Sequence, residues 1–600
     1  MDDGGVHAMS RQILIGLVAI SSALAVPAAA EGLPPLQPYT HRTAPNAVGT
    51  GGAAASVDSV ATDAAIRVLR DGGNAVDAAV TAAGVLGVVE PYSCGIGGGG
   101  FMVIRTPKGR VTTLDGRESA PAAMRPDAFL ENGQPLAFDA ARWSGLSAGV
   151  PGTPALWRRA LRSHGTWKLR RALQPGIRAA ERGFTVDKVF FDATTAAQAY
   201  FDDLPATAAL YLDPDGTPRD IGAVQRHPDM ARTYRRMARL GVRRGFYRGP
   251  VAEAMAAAAR KPPVGSTSDH TWRPGQLTRA DLRGYRVRER APTQVDYKDY
   301  RVFSMPAPSS GGTTVGEALN ILAQSPAYAS GSEVDKLHHF IEASRYAFAD
   351  RNRWVADPAF YDTPQDGLLS RPFAAQRAVL IGPQAANAVV APGTPPGAPD
   401  AAAQSGAFFS RTQSTTHLTV ADADGMVVSY TFTIESTGGN GIVVPGWGFL
   451  LNNELTDFNI DDPTHPNAPA GGKRPRSSMA PTYVEKGGQP FLALGSPGGA
   501  TIITTVLQTL LARMDLGKPL PEAVAMPRAS QRNLAATPYE QAFADTYAAA
   551  LIAEHGHRFA PAATAELGAV AAVEFLPGGR FQAAAEPVRR GGGSARVVKR

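Results

Sequence analysis

Hydrophobic positions along the chain switch between two periods, and the switch points outline its elements. Val60 to Leu69 carries apolar residues at helical spacing with Gly72 and Gly73 as a stop, and Asn74 caps a second helix running through Gly87. Phe101 to Thr106 and Arg110 to Leu114 read as strands, joined as a hairpin across Pro107 and Gly109. From roughly 150 to 380 the spacing is mostly helical and rich in Arg and Ala. Gly382 to Phe408 then loses both periods and fills with Pro, Gly, Ala and Gln, which predicts a flexible loop. Directly beyond it, Thr415 to Asp422 and Met426 to Thr433 read as two strands about a turn at Asp424-Gly425. Phe491 to Leu494 predicts a short apolar strand, after which Gly495-Ser496-Pro497-Gly498-Gly499 opens a helix spaced by Ile503, Val506 and Leu510.

The N-terminal end has a different pattern. Arg11 precedes an apolar run from Ile13 to Val26, then Pro27 and three alanines lead to Glu31, the order of a secretory signal over residues 1–30. Asp2 and Asp3 fit poorly in such a leader, which makes Met9 an alternative start. No later stretch approaches the length of a membrane span, so the expectation is a periplasmic or secreted protein with no span after signal removal.

Composition narrows the class. With 44% hydrophobic positions over 600 residues the chain can bury a large core, and one layered body is expected. The net charge of +7 is dispersed, which argues against a nucleic-acid partner, and Arg232 to Arg248 reads as the solvated face of a helix. Cys94 is the sole cysteine, which excludes an intramolecular disulfide and any cysteine-built cluster. The histidines form no His-Glu-x-x-His motif, so no metal and no cofactor is expected.

Candidate chemistry centres on Gln413-Ser414-Thr415-Thr416-His417. A threonine hydroxyl is a weak nucleophile unless a base stands beside it, and the residue's own α-amine can be that base once the preceding bond is cut. An α-amine with a pKa of about 7.7 to 8 suits proton transfer near neutrality. Pairing about the Asp424-Gly425 turn brings Thr433 opposite Thr415, where its hydroxyl can hold the nucleophile. The plainer alternative is a Thr-rich solvent face of an ordinary strand. Gly498 and Gly499 offer backbone N–H groups for an oxyanion. Arg117 with Ser477 and Ser478 makes a carboxylate clamp, and Glu435, Glu454 and Asp457 could receive an ammonium.

These pieces together resemble the γ-glutamyltranspeptidase family of N-terminal-nucleophile hydrolases. The resemblance runs from about Ala53 onward through Gly72 to Ala79, Val89-Glu90-Pro91 and the Gly95 to Phe101 run, Gly149 to Gly152, Met305 to Gly312, Thr415-Thr416-His417, Leu450 to Asp457, Arg474 to Met479 and Gly495 to Gly499. It implies an α+β fold, a four-layer αββα sandwich, and autocleavage into a large subunit, 31–414, and a small subunit, 415–600. It also implies transfer of a γ-glutamyl group from glutathione or related compounds to water or to amino acid or dipeptide acceptors. In that frame Thr415 matches the nucleophile, Thr433 its hydroxyl partner, and Gly498 and Gly499 the oxyanion hole. Arg117, Ser477 and Ser478 match the α-carboxylate site, and Glu435, Glu454 and Asp457 fall at the α-ammonium site.

Three departures stand out. Glu435 and Glu454 occupy positions where many relatives carry Asn and Gln; the Asp457 to Ser477 connection is too short for the aromatic-bearing lid of some bacterial members; and Arg589-Arg590-Gly591 replaces the usual Asp-Pro-Arg ending. Two readings compete on the same scaffold: a glutaryl-cephalosporin acylase and a poly-γ-glutamate-processing amidase. A third, a serine hydrolase using Ser147 in Gly145-Leu146-Ser147-Ala148-Gly149, fits a nucleophile-elbow pattern but lacks the apolar strand before it.

Overall fold

In the computed structural model, which describes Met1 and residues 37–399 and 414–599, two seven-stranded sheets lie face to face. The predicted signal segment and the end of the predicted loop lie outside the described residues. The first sheet runs Ser594–Val597, Gly52–Ser56, Thr416–Asp422, Val427–Thr433, Gly99–Arg105, Val111–Gly116, Arg288–Arg290. The second runs Asn46–Gly49, Arg580–Ala585, Ala571–Leu576, Gln489–Gly495, Thr482–Lys486, Tyr300–Ser304, Thr293–Tyr297. Every pairing within the two sheets is antiparallel.

Three apolar layers follow. Ala53, Ala55, Ala493, Ala571, Ala583 and Ala595 fill the space between the sheets, where small side chains let the two backbones approach. Helices Ser59–Arg70 and Ala75–Val89 cover the first sheet, and helices Gly311–Ala323, Glu333–Trp354 and Ile502–Met514 cover the second. This is the expected αββα order, and residues from Pro38 onward cluster as one unit.

The central hairpin shows how the sequence builds the site. Strands Thr416–Asp422 and Val427–Thr433 pair with Thr416 opposite Phe432, and all fourteen residues are buried. One face, with Leu418, Val420, Val428, Tyr430 and Phe432, packs on the helices. The other points its hydroxyls at the second sheet: Thr419 donates to the Ala571 carbonyl at 3.0 Å and Ser429 to that of Leu494 at 2.9 Å. The Thr-rich strand is therefore an inter-sheet surface and not a solvent face. His417 sits between the hydroxyls of Thr431 and Thr419 at 2.8 and 2.9 Å, and burial pushes its pKa down to about 3, so it orders the hairpin as a neutral ring. Asp422 closes the turn by accepting N–H bonds from Asp424 and Met426, and its second oxygen accepts the Ala75 N–H at the start of the helix Ala75–Val89.

Several expectations are refined. Asn74 caps its helix through a reciprocal capping box with Asp77. The basic stretch lies on the helix Pro228–Gly245, whose buried side is Met230, Ala231, Tyr234 and Met237. Residues 382–399 lack helix or strand, as predicted, but are tied down: Ala385 N–H bonds the His555 carbonyl, and Val390 N–H bonds Asn533. The glycines after Gln489–Gly495 do not open the helix directly, because a 3₁₀ turn, Gly499–Thr501, precedes Ile502–Met514.

Candidate active site

Thr415 immediately precedes the first strand of the hairpin, and its Oγ1 lies 2.9 Å from Oγ1 of Thr433. Thr433 Oγ1 also accepts the Glu435 N–H at 2.9 Å, which fixes its orientation. The carbonyl oxygen of Ser414 accepts the Gly498 N–H at 3.3 Å. Gly498 has φ +137°, a conformation that favours glycine. Thr415 itself has φ +85° and Glu435 φ +77°. A positive φ is an outlier for a β-branched residue, and strain of this kind costs about 1–3 kcal/mol per residue.

One small cavity, about 20 Å³, is lined by Arg117, Thr415, Thr433, Glu435, Glu454, Asp457, Ser477, Ser478 and Gly499. Every residue singled out from the sequence except Gly498 lines it, and Gly498 reaches Ser414 beside it. The elements that converge are far apart in the chain. Arg117 follows the strand Val111–Gly116, the acids lie in and near the 3₁₀ turn Glu454–Asp457, and Ser477 and Ser478 precede the strand Thr482–Lys486.

Inside, one cation faces three acidic side chains. The Arg117 guanidinium is buried and pairs with both Glu454 and Asp457, while its Nε donates to the Pro475 carbonyl at 3.1 Å. The second carboxylate oxygen of Glu454 is buried without a hydrogen-bond partner. Glu435 accepts from Ser436 and Asn453; burial, reinforced by the nearby charge of Asp457, pushes its carboxyl up to about 7. Alternating cation and anions at this spacing suit a zwitterion, carboxylate toward Arg117 and ammonium toward the acids.

Glu118 is fully buried with neither carboxyl oxygen bonded, and desolvation raises its pKa to about 8 against the lowering influence of Arg117. Unfolded, it would ionise near the ordinary value of about 4.3. Between these values the folded state keeps a proton that the unfolded state releases, so stability falls as pH rises through the window. Glu118→Gln removes this term. Thermal melts are expected to show the variant gaining on wild type between pH 5 and pH 8.5, and a pH-independent difference would exclude the linkage.

Three contributors were not read from the sequence. Arg351, on the helix Glu333–Trp354, donates to Ser478 Oγ and to Ser310 Oγ, each at 2.9 Å, and burial pushes its pKa well down. Asn453 holds Glu435. Arg590 donates to the Thr415 carbonyl at 2.6 Å and pairs with Glu90 at 3.1 Å. Buried Arg on a core-facing helix side was the one available signal, and it becomes visible only once the face is known.

Other sequence candidates resolve into structure. Ser147 is fully buried and donates its hydroxyl to the Arg142 carbonyl at 2.8 Å, which leaves the nucleophile-elbow reading without an accessible hydroxyl. In the Gly95 to Gly100 run, a Cβ at Gly98 would lie 1.8 Å from the Thr433 carbonyl, so close packing against the nucleophile hairpin explains the glycine there. Cys94 is buried. Among the described residues no helix is long and apolar enough to cross a membrane.

Comparison with known proteins gives a consistent result. The profile of the gamma-glutamyltranspeptidase family matches residues 61–596. The glutathione hydrolase proenzyme of Bacillus subtilis (strain 168) is 35% identical over 571 residues, covering 92% of this chain and 93% of that protein. The acylase ACY 1 proenzyme of Pseudomonas sp. (strain V22) is 34% identical, covering 92% and 96%. Among solved structures, cephalosporin acylase from Bacillus halodurans superposes with a TM-score of 0.81 at 29% identity, covering 95% of this chain and 99% of that one.

Proposed function

This chain belongs to the gamma-glutamyltranspeptidase family, and from that premise we propose that it is a self-cleaving γ-glutamyl-transferring enzyme with Thr415 as nucleophile. Cleavage between Ser414 and Thr415 yields the large subunit 31–414 and the small subunit 415–600. The observation that carries this reading is the geometry about one peptide bond. Thr433 holds the Thr415 hydroxyl, Gly498 holds the Ser414 carbonyl oxygen, and the backbone between them is strained.

Maturation follows from that arrangement. Thr415 Oγ attacks the Ser414 carbonyl carbon, the Gly498 N–H stabilises the oxyanion, the C–N bond breaks, and the Thr415 nitrogen leaves protonated. Strain at Thr415 is relieved in the same step. Water then hydrolyses the Ser414 ester, which frees the Thr415 hydroxyl and separates the two chains, the α-amine having been released in the shift.

In the mature enzyme the α-amine takes the Thr415 hydroxyl proton as Oγ attacks the γ-carbonyl of a γ-glutamyl amide, then returns it to the departing amine. Gly498 and Gly499 stabilise the tetrahedral oxyanion; loss of one such donor costs about 2.7–4 kcal/mol of barrier. Arg117, Ser477 and Ser478, with Arg351 behind Ser478, hold the α-carboxylate, and Glu435, Glu454 and Asp457 hold the α-ammonium. Glutathione would release cysteinylglycine, and water or an amino acid or dipeptide would take the acyl group.

A second reading, a glutaryl-cephalosporin acylase, is favoured by the acylase relatives. The three carboxyl side chains argue for an ammonium-bearing head. Turnover of γ-glutamyl-p-nitroanilide is therefore expected to exceed that of glutaryl-cephalosporin, and the reverse order would overturn the γ-glutamyl assignment.

pH dependence offers a finer test. Glu435 has to ionise, above about 7, and the amine has to be unprotonated. Below pH 7 the logarithm of kcat/KM is expected to rise with a slope of about two in wild type and about one in Glu435→Gln. Equal slopes would remove Glu435 from ammonium binding. Export to the periplasm or medium is part of the proposal, carried by the apolar run before Glu31. Its check is a large subunit starting near residue 31.

A further inference from the structure

A second cavity, about 310 Å³, shares no lining residue with the one around Thr415. It opens where the helices Thr153–His164, Pro228–Gly245 and Arg279–Gly284 meet the strand Arg288–Arg290. Six of its lining residues are arginines: Arg158, Arg159, Arg243, Arg248, Arg283 and Arg286. Its buried floor includes the rings of Tyr247 and Tyr285, whose hydroxyls are engaged elsewhere, donating at 2.7 Å to the carbonyls of Pro151 and Arg117. Gly241, at φ +72°, kinks the helix Pro228–Gly245, so the turn bearing Val242 and Arg243 takes its own direction toward the cavity.

The charge balance here differs from that on the rest of the same helix. There, Arg232 pairs with Asp229 at 3.1 Å and Arg235 pairs with Glu181. Around the cavity the one acid is Glu289, which pairs with Arg159 and, at 3.5 Å, with Arg110 outside it. Arg286 turns its guanidinium onto the carbonyls of Arg283, Gly284 and Tyr285. Among the described residues Arg158, Arg243, Arg248 and Arg283 have no ion-pair partner. Burial, and then the charges of Arg162, Arg243, Arg159 and Arg286, lower the pKa of Arg158. A recess walled by one sign of charge focuses the field and concentrates counter-ions.

The donors define the chemistry of the ligand. All six are arginine, whose planar fork meets two oxygens of one phosphoryl or carboxylate group at once. A phosphoryl ester carries a charge of about −1.5 to −2 near neutrality, so two such groups match four unpaired guanidiniums, where a singly charged carboxylate leaves most of them unbalanced. The volume lies at the lower end of the range of small-molecule sites, about 300–1,000 Å³, which suits a compact solute.

We propose that this cavity is a binding site for a small solute bearing two phosphoryl groups, seated among these arginines with its organic part against the tyrosine rings. The assignment is independent of the acyl-transfer reading, because the two cavities share no residue.

Sodium diphosphate is the probe, titrated calorimetrically into the full protein at an ionic strength of about 0.15 M, where diffuse attraction beyond about 8 Å is screened. Arg243→Gln and Arg283→Gln are combined in one variant, since both side chains are exposed and folding is not at risk. Arg580→Gln, on the second sheet, is the control. The expected result is saturable binding to wild type, weakened at least about tenfold in the double variant, the scale of losing one charge-assisted hydrogen bond, and unchanged within about twofold in the control. No saturable binding to wild type overturns the site, as does wild-type affinity in the double variant or equal weakening in the control. Sedimentation with phosphatidylglycerol vesicles separates a lipid source from a free one: capture by vesicles without binding of diphosphate overturns the cavity assignment.

Discussion

Thr415→Ala is expected to leave one unbroken polypeptide and to abolish turnover of γ-glutamyl amides. Alanine lacks the oxygen that attacks Ser414, so the chain would keep its peptide bond, and the α-amine that serves as base would never be released. Two losses therefore arise from one atom. Removing a nucleophile from a hydrolase of this kind costs on the order of 10⁶ in kcat, and here the absence of the base comes on top of that. Denaturing mass spectrometry and N-terminal sequencing are the checks: wild type gives two fragments, one beginning Thr-Thr-His, and the variant gives one mass. Thr415→Ser, which retains a hydroxyl, is expected to cut itself slowly. A fragment beginning Ala-Thr-His in Thr415→Ala would end the account.

Arg117→Ala carries the second largest expected effect, on kcat/KM with folding preserved. Truncating one partner of a buried charge pair costs about 2–5 kcal/mol. At about 1.4 kcal/mol per factor of ten, the loss in kcat/KM spans roughly 30-fold to a few thousand-fold. The geometry adds a reason for the upper part of that range. Arg117 pairs with both Glu454 and Asp457, so its removal leaves these acids close to Glu435 with less cationic compensation. Glu435 would then titrate still higher, and the ammonium site would weaken together with the carboxylate site. Arg117→Lys restores charge without the planar fork and is expected to recover part of the loss. Wild-type kcat/KM in Arg117→Ala would remove the residue from substrate binding.

How much could be read beforehand depended on the range of each interaction. The hairpin was legible because its strands are joined by a tight Asp-Gly turn, and that turn fixes Thr433 against Thr415 across a short loop. The cap at Asn74 and the stop at Gly72, which follows the C-cap Asp71 and has φ +80°, were legible for the same local reason. Arg117, Ser477 and Ser478 could be picked out by residue type, but the pairing of Arg117 with Glu454 and Asp457 joins segments more than three hundred residues apart, and no pattern encodes it. Arg351 stayed hidden because a charged residue on a helix is read as solvated by default. The stretch from Gly382 looked loose by composition, yet it is held by backbone bonds to Asn533 and His555, partners that only the fold supplies.

Arg590 lies 175 residues beyond Thr415, and its guanidinium holds the Thr415 carbonyl. Just after it, Ser594–Val597 forms the edge strand beside Gly52–Ser56, itself the neighbour of the nucleophile strand. A growing chain that has only just made Thr415 therefore lacks both the clamp on that residue and the border of its sheet. On the proposed mechanism, self-cleavage is thereby coupled to completion of the fold: a chain lacking its last residues lacks both supports of the cleavage site, and its two halves are expected to stay covalently joined.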